Sequence, residues 1–207
     1  MGGVRTRQGL ERLVFFSDAV VAIAITLLVL PLAEGVPEAV ARHASSVEVI
    51  SENLPAIFVF LLSFAVIAQF WRAHHQLFER IDDYRRPLVL WNLLWLLTIV
   101  LLPFVTEMAG SFGGDDRFAP VFYIAVVLGS SVCLSVLTLI ARANPDIAAG
   151  PGAITGRLVA EAVSTTVLLA IALVVTVVVP GARYYSLLLL LLLPAVSTVR
   201  RRTAPRS

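Results

Sequence analysis

The chain has 207 residues, of which 58% are hydrophobic and only 14% charged, with a mean hydropathy of +0.89. A water-soluble domain is about 25% charged, so this composition excludes a soluble globular protein and reads as an integral membrane protein. The net charge of +2 is too small to mark a nucleic-acid binder, and the single cysteine, Cys133, excludes an intrachain disulfide.

Hydropathy and helix punctuation predict an all-α membrane protein of six spans. The first covers 14–32 and ends at Pro31. Its apolar run exceeds the 7–15 residues of a signal-peptide core, and no clean A-x-A site follows, so it reads as a true span. The connection 33–53 contains "EAVARHASSVEVISE", which forms either a short amphipathic helix on the outer surface or nothing ordered. The second span covers 54–72, with Asn53 as its cap and Pro55 in its first turn. The third, 88–106, opens after Pro87; the fourth is 118–141; the fifth, 158–180, stops at Pro180; the sixth is 184–199. No soluble domain and no internal repeat is evident, so 1–207 reads as one six-helix domain with a basic tail at 200–207. Tyr184 and Tyr185 suit an aromatic belt, and the leucine run after them suits lipid.

All 16 basic residues are arginine. Thirteen fall in the N-terminus, the 2–3 and 4–5 connections and the tail; only Arg42, Arg117 and Arg183 fall on the other side, which also holds seven of the 14 acidic residues. The positive-inside rule therefore places both termini in the cytoplasm, which requires an even number of spans.

The opening of the first span, "RLVFFSDAVVAIAITLLVLPL", carries Arg12, Ser17 and Asp18 in its first turns. A carboxylate at the centre of a membrane helix costs about 2.5–3.5 kcal/mol, and such groups normally face protein or water. On an ideal helix with Ile23 at 0°, Thr26 falls at about 300° and Leu30 at about 340°, while Asp18 falls at about 220°. Ile23, Thr26 and Leu30 thus share a stripe that excludes Asp18. Arg12 lies roughly 9 Å below Asp18 along the axis, too far to pair neatly. The donors at the depth of Asp18 are Trp71, His74 and His75 on the second span and Arg85, Arg86, Trp91 and Asn92 on the third. Two readings stand side by side: a polar network joining the first three helices, or an Asp18 that snorkels beside histidines at the headgroups.

Other chemistry is poorly supported. His74 and His75 point about 100° apart on a helix, and no carboxylate–histidine spacing recurs, so no metal site is expected. Ser17–Asp18 with a distant histidine lacks an oxyanion hole, so no enzyme is expected. Glu161 reads either as a proton relay or as a helix N-terminal charge paired with Arg157. The ordinary reading of Thr26 is a bond back to the carbonyl of Ala22, and of Ile23 and Leu30 apolar packing.

Arg12, Phe16, Ser17 and Asp18 match the R-x-x-x-F-S-D signature of the transmembrane protein 175 family of potassium channels, which this sequence resembles over 12–107. The resemblance continues through Ile23, Thr26, Leu30, "WRAHH" at 71–75, Asn92 and "LLPF" at 101–104. It implies a homotetramer of six-helix subunits in the bacterial inner membrane, with the first helix of each lining a central pore. It implies no TVGYG filter and no cofactor, potassium being the permeant ion. Carried over, Ile23 is the constriction, Thr26 a hydroxyl layer and Leu30 a second apolar layer. Arg12, Phe16, Ser17, Asp18, His74, His75 and Asn92 would then hold the pore helix. A modestly selective potassium channel is the leading expectation. An ion-coupled transporter using Asp18 and the histidines is the alternative, although the unbroken first helix and missing repeat speak against it. A non-transporting scaffold is the third.

Overall fold

The structure is a computed structural model that describes residues 7–112 and 116–179. The expected sixth span, 184–199, and the basic tail lie outside the described residues. The described chain is all helical: α1 Arg7–Leu27, α2 Leu30–Ala41, α3 Ser46–Glu52, α4 Leu54–Phe78, α5 Arg86–Ser111, α6 Phe118–Ala143, a 3-10 turn Pro145–Ile147, and α7 Gly156–Val178. Five segments are long and apolar enough to cross a membrane, the first being the combined stretch Gln8–Ala41.

The first span does not end at Pro31. The helix is interrupted at Leu28–Val29 and resumes as α2, with Pro31 in its first turn. Proline is well placed at a helix start, where its missing N–H has no acceptor to serve. By the same token it cannot donate to the carbonyl of Leu27, four residues back, so the α-helical ladder breaks there. Beyond Ala41 the chain turns through Arg42 to His43, a non-glycine residue at φ 61°. His43 N donates to Val40 O and Ala44 N to Ala39 O, both 3.0 Å, the paired bonds of a Schellman ending. Ser45 then caps α3 in a reciprocal box with Glu48. The 33–53 connection is therefore mostly helical.

Asn53 does not cap α4; its amide donates back to Val49 O at 2.8 Å instead. Pro55 and Pro87 do occupy the first turns of α4 and α5. α4 continues to Phe78, so His74 and His75 lie within the helix. Thr155 accepts from Leu158 N and caps α7.

α6 forms the centre of the bundle, with 61% of its span buried, whereas α1 and α7 are peripheral at 22% and 11%. α5 and α7 flank α6, and α1 packs against α5 and α4. In lipid, helix association rests on close packing and interhelical hydrogen bonds. Trp95, Ile99 and Leu102 of α5 and Tyr123, Ile124 and Leu137 of α6 form the packed centre. Hydroxyl bonds cross it: Tyr123 to Ser63 at 3.0 Å, Ser63 to Thr106 at 2.8 Å, and Ser130 to Thr98 at 2.8 Å. Thr166 of α7 reaches both Ser131 and Ser135 of α6 at 2.8 Å.

At the arginine-rich end, two connections pair with each other. Ile81 bridges Ala148, Asp82 N donates to Ile147 O at 2.9 Å, and Ala149 N donates to Arg80 O at 3.0 Å. Arg85 adds an ion pair with Asp146.

Candidate functional site: two faces of the first helix

Leu10, Ser17, Val21 and Ala24 of the first helix are buried, as is Leu28 at its interruption. Their spacing of seven, four, three and four is that of one helix face, the face turned to α4 and α5. On an ideal helix this seam centres about 160° from Ile23 and Thr26, and Leu30 follows beyond the interruption, at the start of α2. The stripe is unpacked within the subunit: Ile23 is 60% exposed and Leu30 49%, and Thr26 is exposed as well. The Thr26 hydroxyl donates to Ile23 O at 2.8 Å, not to Ala22. With its proton so engaged, the Thr26 oxygen turns lone pairs to its surroundings.

On the packed face, Ser17 is fully buried and its hydroxyl donates to Leu13 O at 2.9 Å. It accepts from Asn92 Nδ2 of α5 at 2.8 Å. The Asn92 amide oxygen is thereby turned to His74 Nε2 of α4, 2.7 Å away, and the imidazole donates to it. These bonds run in one direction, and each donor meets an acceptor. His74 Nδ1 has no partner and is buried, so a neutral ring fits the site; an imidazolium would bury an unmatched N–H. The ring is sandwiched by Trp95 and Phe78, each with centroids 4.2 Å away, and lies nearly parallel to the indole at 8°.

Asp18 belongs to a separate, outer arm. Its Oδ1 accepts from the Trp71 indole N–H at 2.9 Å. Trp71 stacks on His75 at 5.4 Å, and His75 lies 3.3 Å from Glu79. Of the candidate donors, Arg85 is committed to Asp146. Arg12 is exposed and Phe16 is 51% exposed. The structure therefore brings Ser17, Asn92 and His74 together in one chain and Asp18 with Trp71 and His75 in another. Sequence reasoning missed Trp95, which floors the histidine. Its position three residues after Asn92, on the same face of α5, was the available signal.

Among the described residues no group of histidine, cysteine or acidic side chains is arranged to hold a metal ion. Glu161 pairs with Arg157 at 3.0 Å, one turn away on α7.

Comparison with known proteins draws on the same helices. Residues 12–103 match the family described as endosomal/lysosomal potassium channel TMEM175. A potassium channel of Streptomyces collinus is 33% identical over 129 residues, 59% of each chain. A potassium channel of Chamaesiphon minutus is 34% identical over 131 residues, 61% of this chain and 63% of the relative. The chicken endosomal/lysosomal proton channel TMEM175 is 32% identical over 123 residues, 59% of this chain but 24% of that protein. The matches thus span about six-tenths of the bacterial relatives' length and a quarter of the vertebrate one. The crystal structure of a lysosomal potassium-selective channel TMEM175 homologue from Chamaesiphon minutus superposes with a TM-score of 0.74 at 24% identity, covering 95% of this chain and all of that one. Residues 12–103 thus resemble the TMEM175 family, and nearly the whole length of the chain takes the fold of a solved bacterial homologue of it.

Proposed function

We propose that the chain is a subunit of a homotetrameric potassium-permeant channel in which α1 lines a central pore. In this reading residues 1–207 form one six-helix channel domain of the bacterial inner membrane, with both termini cytoplasmic. The observation that carries it is the division of the first helix. One face is bonded and packed against α4 and α5, the opposite face leaves Ile23 and Thr26 exposed, and Leu30 is exposed at the start of α2. Four such faces around an axis make a narrow apolar ring. An ion crossing it must shed water, which penalises sodium more than the more weakly hydrated potassium, so selectivity is modest and needs no carbonyl filter. The Thr26 oxygens, whose protons are held by Ile23 carbonyls, return part of the lost hydration. Potassium is the permeant ion, and the subunit's partners are three further copies and the bilayer. The Ser17–Asn92–His74 chain and the Asp18–Trp71 bond hold the pore helix, with Arg12, Phe16 and His75 at the margin of the same support.

The test is potassium and sodium current through reconstituted protein, with Ile23→Asn as the comparison. The polar ring is expected to raise conductance and lower the preference for potassium. Unchanged currents would remove Ile23 from the constriction.

The interruption at Leu28–Val29 favours a second reading. Broken helices are common in secondary transporters, so the first helix no longer argues against a carrier. Flux that saturates with ion concentration at carrier turnover rates would support that reading against an open pore.

A further inference from the structure

A crevice opens between α4, α6 and α7 at the arginine-rich end of the bundle, away from the proposed pore face. Gln69, Arg72 and Gln76 of α4, spaced three and four residues apart and so on one helix face, line one part of it; Arg80, just past the end of α4, lines the adjoining part, which shares Gln76, Leu158 and Glu161. Its inner wall is apolar, built by Phe70, Leu77, Leu134, Leu158 and Ala162. Arg157 and the carboxylate of Glu161 also line it, and the two pair at 3.0 Å and so offset each other. Arg72 bonds the neutral amide of Gln69 at 2.9 Å, and Arg80 bonds the carbonyl of Gln76. These bonds orient two guanidiniums without neutralising either.

We propose that this crevice binds an anionic phospholipid, its headgroup lying between Arg72 and Arg80 and an acyl chain along the apolar wall. The charge demands an anion, and the guanidinium fork matches phosphate oxygens. The apolar wall continuing from the charged mouth requires a ligand with a hydrocarbon part. Basic pockets between membrane helices have this form where they take lipid headgroups. A zwitterionic headgroup would set its own cation beside the two arginines and is disfavoured.

The experiment is native mass spectrometry of the full-length, delipidated protein titrated with phosphatidylglycerol or with phosphatidylcholine of the same acyl chains. Wild type is expected to retain phosphatidylglycerol at a concentration about thirtyfold lower, the scale set by two arginines near a lipid surface. Arg72→Gln with Arg80→Gln is expected to erase that preference. Ala162→Phe, which fills the crevice without touching charge, is expected to weaken phosphatidylglycerol retention as well. Unchanged melting temperatures in lipid-free detergent establish that both variants are folded, and a variant that melts early is replaced by Arg72→Lys with Arg80→Lys, expected to keep the preference. A preference surviving the double glutamine variant overturns the proposal, as does full retention by Ala162→Phe. Displacement by glycerol phosphate at the same concentration as the lipid would make the ligand a soluble phosphate and also overturn it. So would a wild type that takes up neither lipid, the crevice then being closed by protein.

Discussion

The cost of an intramembrane polar residue depends on whether its partners are complete, and the two arms at the first helix differ in this. Ser17, Asn92 and His74 are all buried and bond one another at 2.7–2.8 Å, leaving only the acceptor Nδ1 of His74 without a partner among them. Replacing Asn92 by leucine orphans the His74 N–H and removes the donor to Ser17. An unsatisfied buried group costs about 1–3 kcal/mol, so Asn92→Leu is expected to lower the melting temperature in detergent markedly. Asp18→Asn keeps an oxygen to accept from Trp71 at the exposed rim. It is expected to cost less than about 1 kcal/mol, the usual worth of an ordinary hydrogen bond. Equal losses in the two variants would show that the carboxylate charge, and not the buried amide chain, holds the helix. Asp18 was conspicuous in the sequence because it is charged. Ser17 and Asn92 are less so, because a serine or asparagine reveals its importance only when a partner 75 residues away comes within 2.8 Å.

At the scale of elements, caps and breaks decide where helices begin and end. His43 holds a left-handed conformation that glycine adopts freely. His43→Gly is expected to stabilise the α2–α3 corner by about 1 kcal/mol, read as slower hydrogen exchange at the amides of 39–48. Unchanged or faster exchange would mean that the histidine side chain contributes more than the backbone strain costs. Thr155→Ala removes the cap of α7 and is expected to cost about 1 kcal/mol, measured by melting. The paired connections at the arginine-rich end add a pH dependence. The hydrogen bond from Arg85 holds the Asp146 carboxyl below its ordinary range. The ion pair's contribution is thus fully present above the unfolded carboxyl value, near pH 4. It is lost as pH falls through the lower folded value. Protection of the amides at 80–86 and 144–149, taken relative to the intrinsic exchange rate at each pH, is expected to fall on acidification below about pH 4, and Arg85→Gln to remove most of that change. The pair is solvent-exposed, so high salt should blunt the effect too. Helix existence was legible from hydropathy, but the break at Leu28–Val29 was misread. Proline ends one helix or opens the next according to where the chain goes afterwards, and hydropathy is the same in both cases.

For the molecule as a whole, the described subunit leaves its first helix packed on one side only, as a wall does. The proposed tetramer of a 22.4 kDa chain predicts a particle of four copies. Native mass spectrometry in a mild detergent is expected to show that species, and a monomer that conducts would overturn the shared pore. Ile23→Asn acts at this scale as well, since its effect on current requires several subunits to present the same residue to one path.

Composition and the apolar runs were sufficient to place the chain in a membrane as a helical bundle, because the hydrocarbon thickness sets span length and permits few alternatives. The helical repeat likewise separated Ile23 and Thr26 from Asp18, because all three lie on α1 and local geometry relates them, whereas Leu30 lies beyond the break, on α2. Only the tertiary structure decided which groups Ser17 and Asp18 meet, that Trp95 floors His74, and that two distant connections pair at the arginine-rich end. Those contacts join residues far apart in sequence. Their distances follow from how the helices cross, a property no single segment contains.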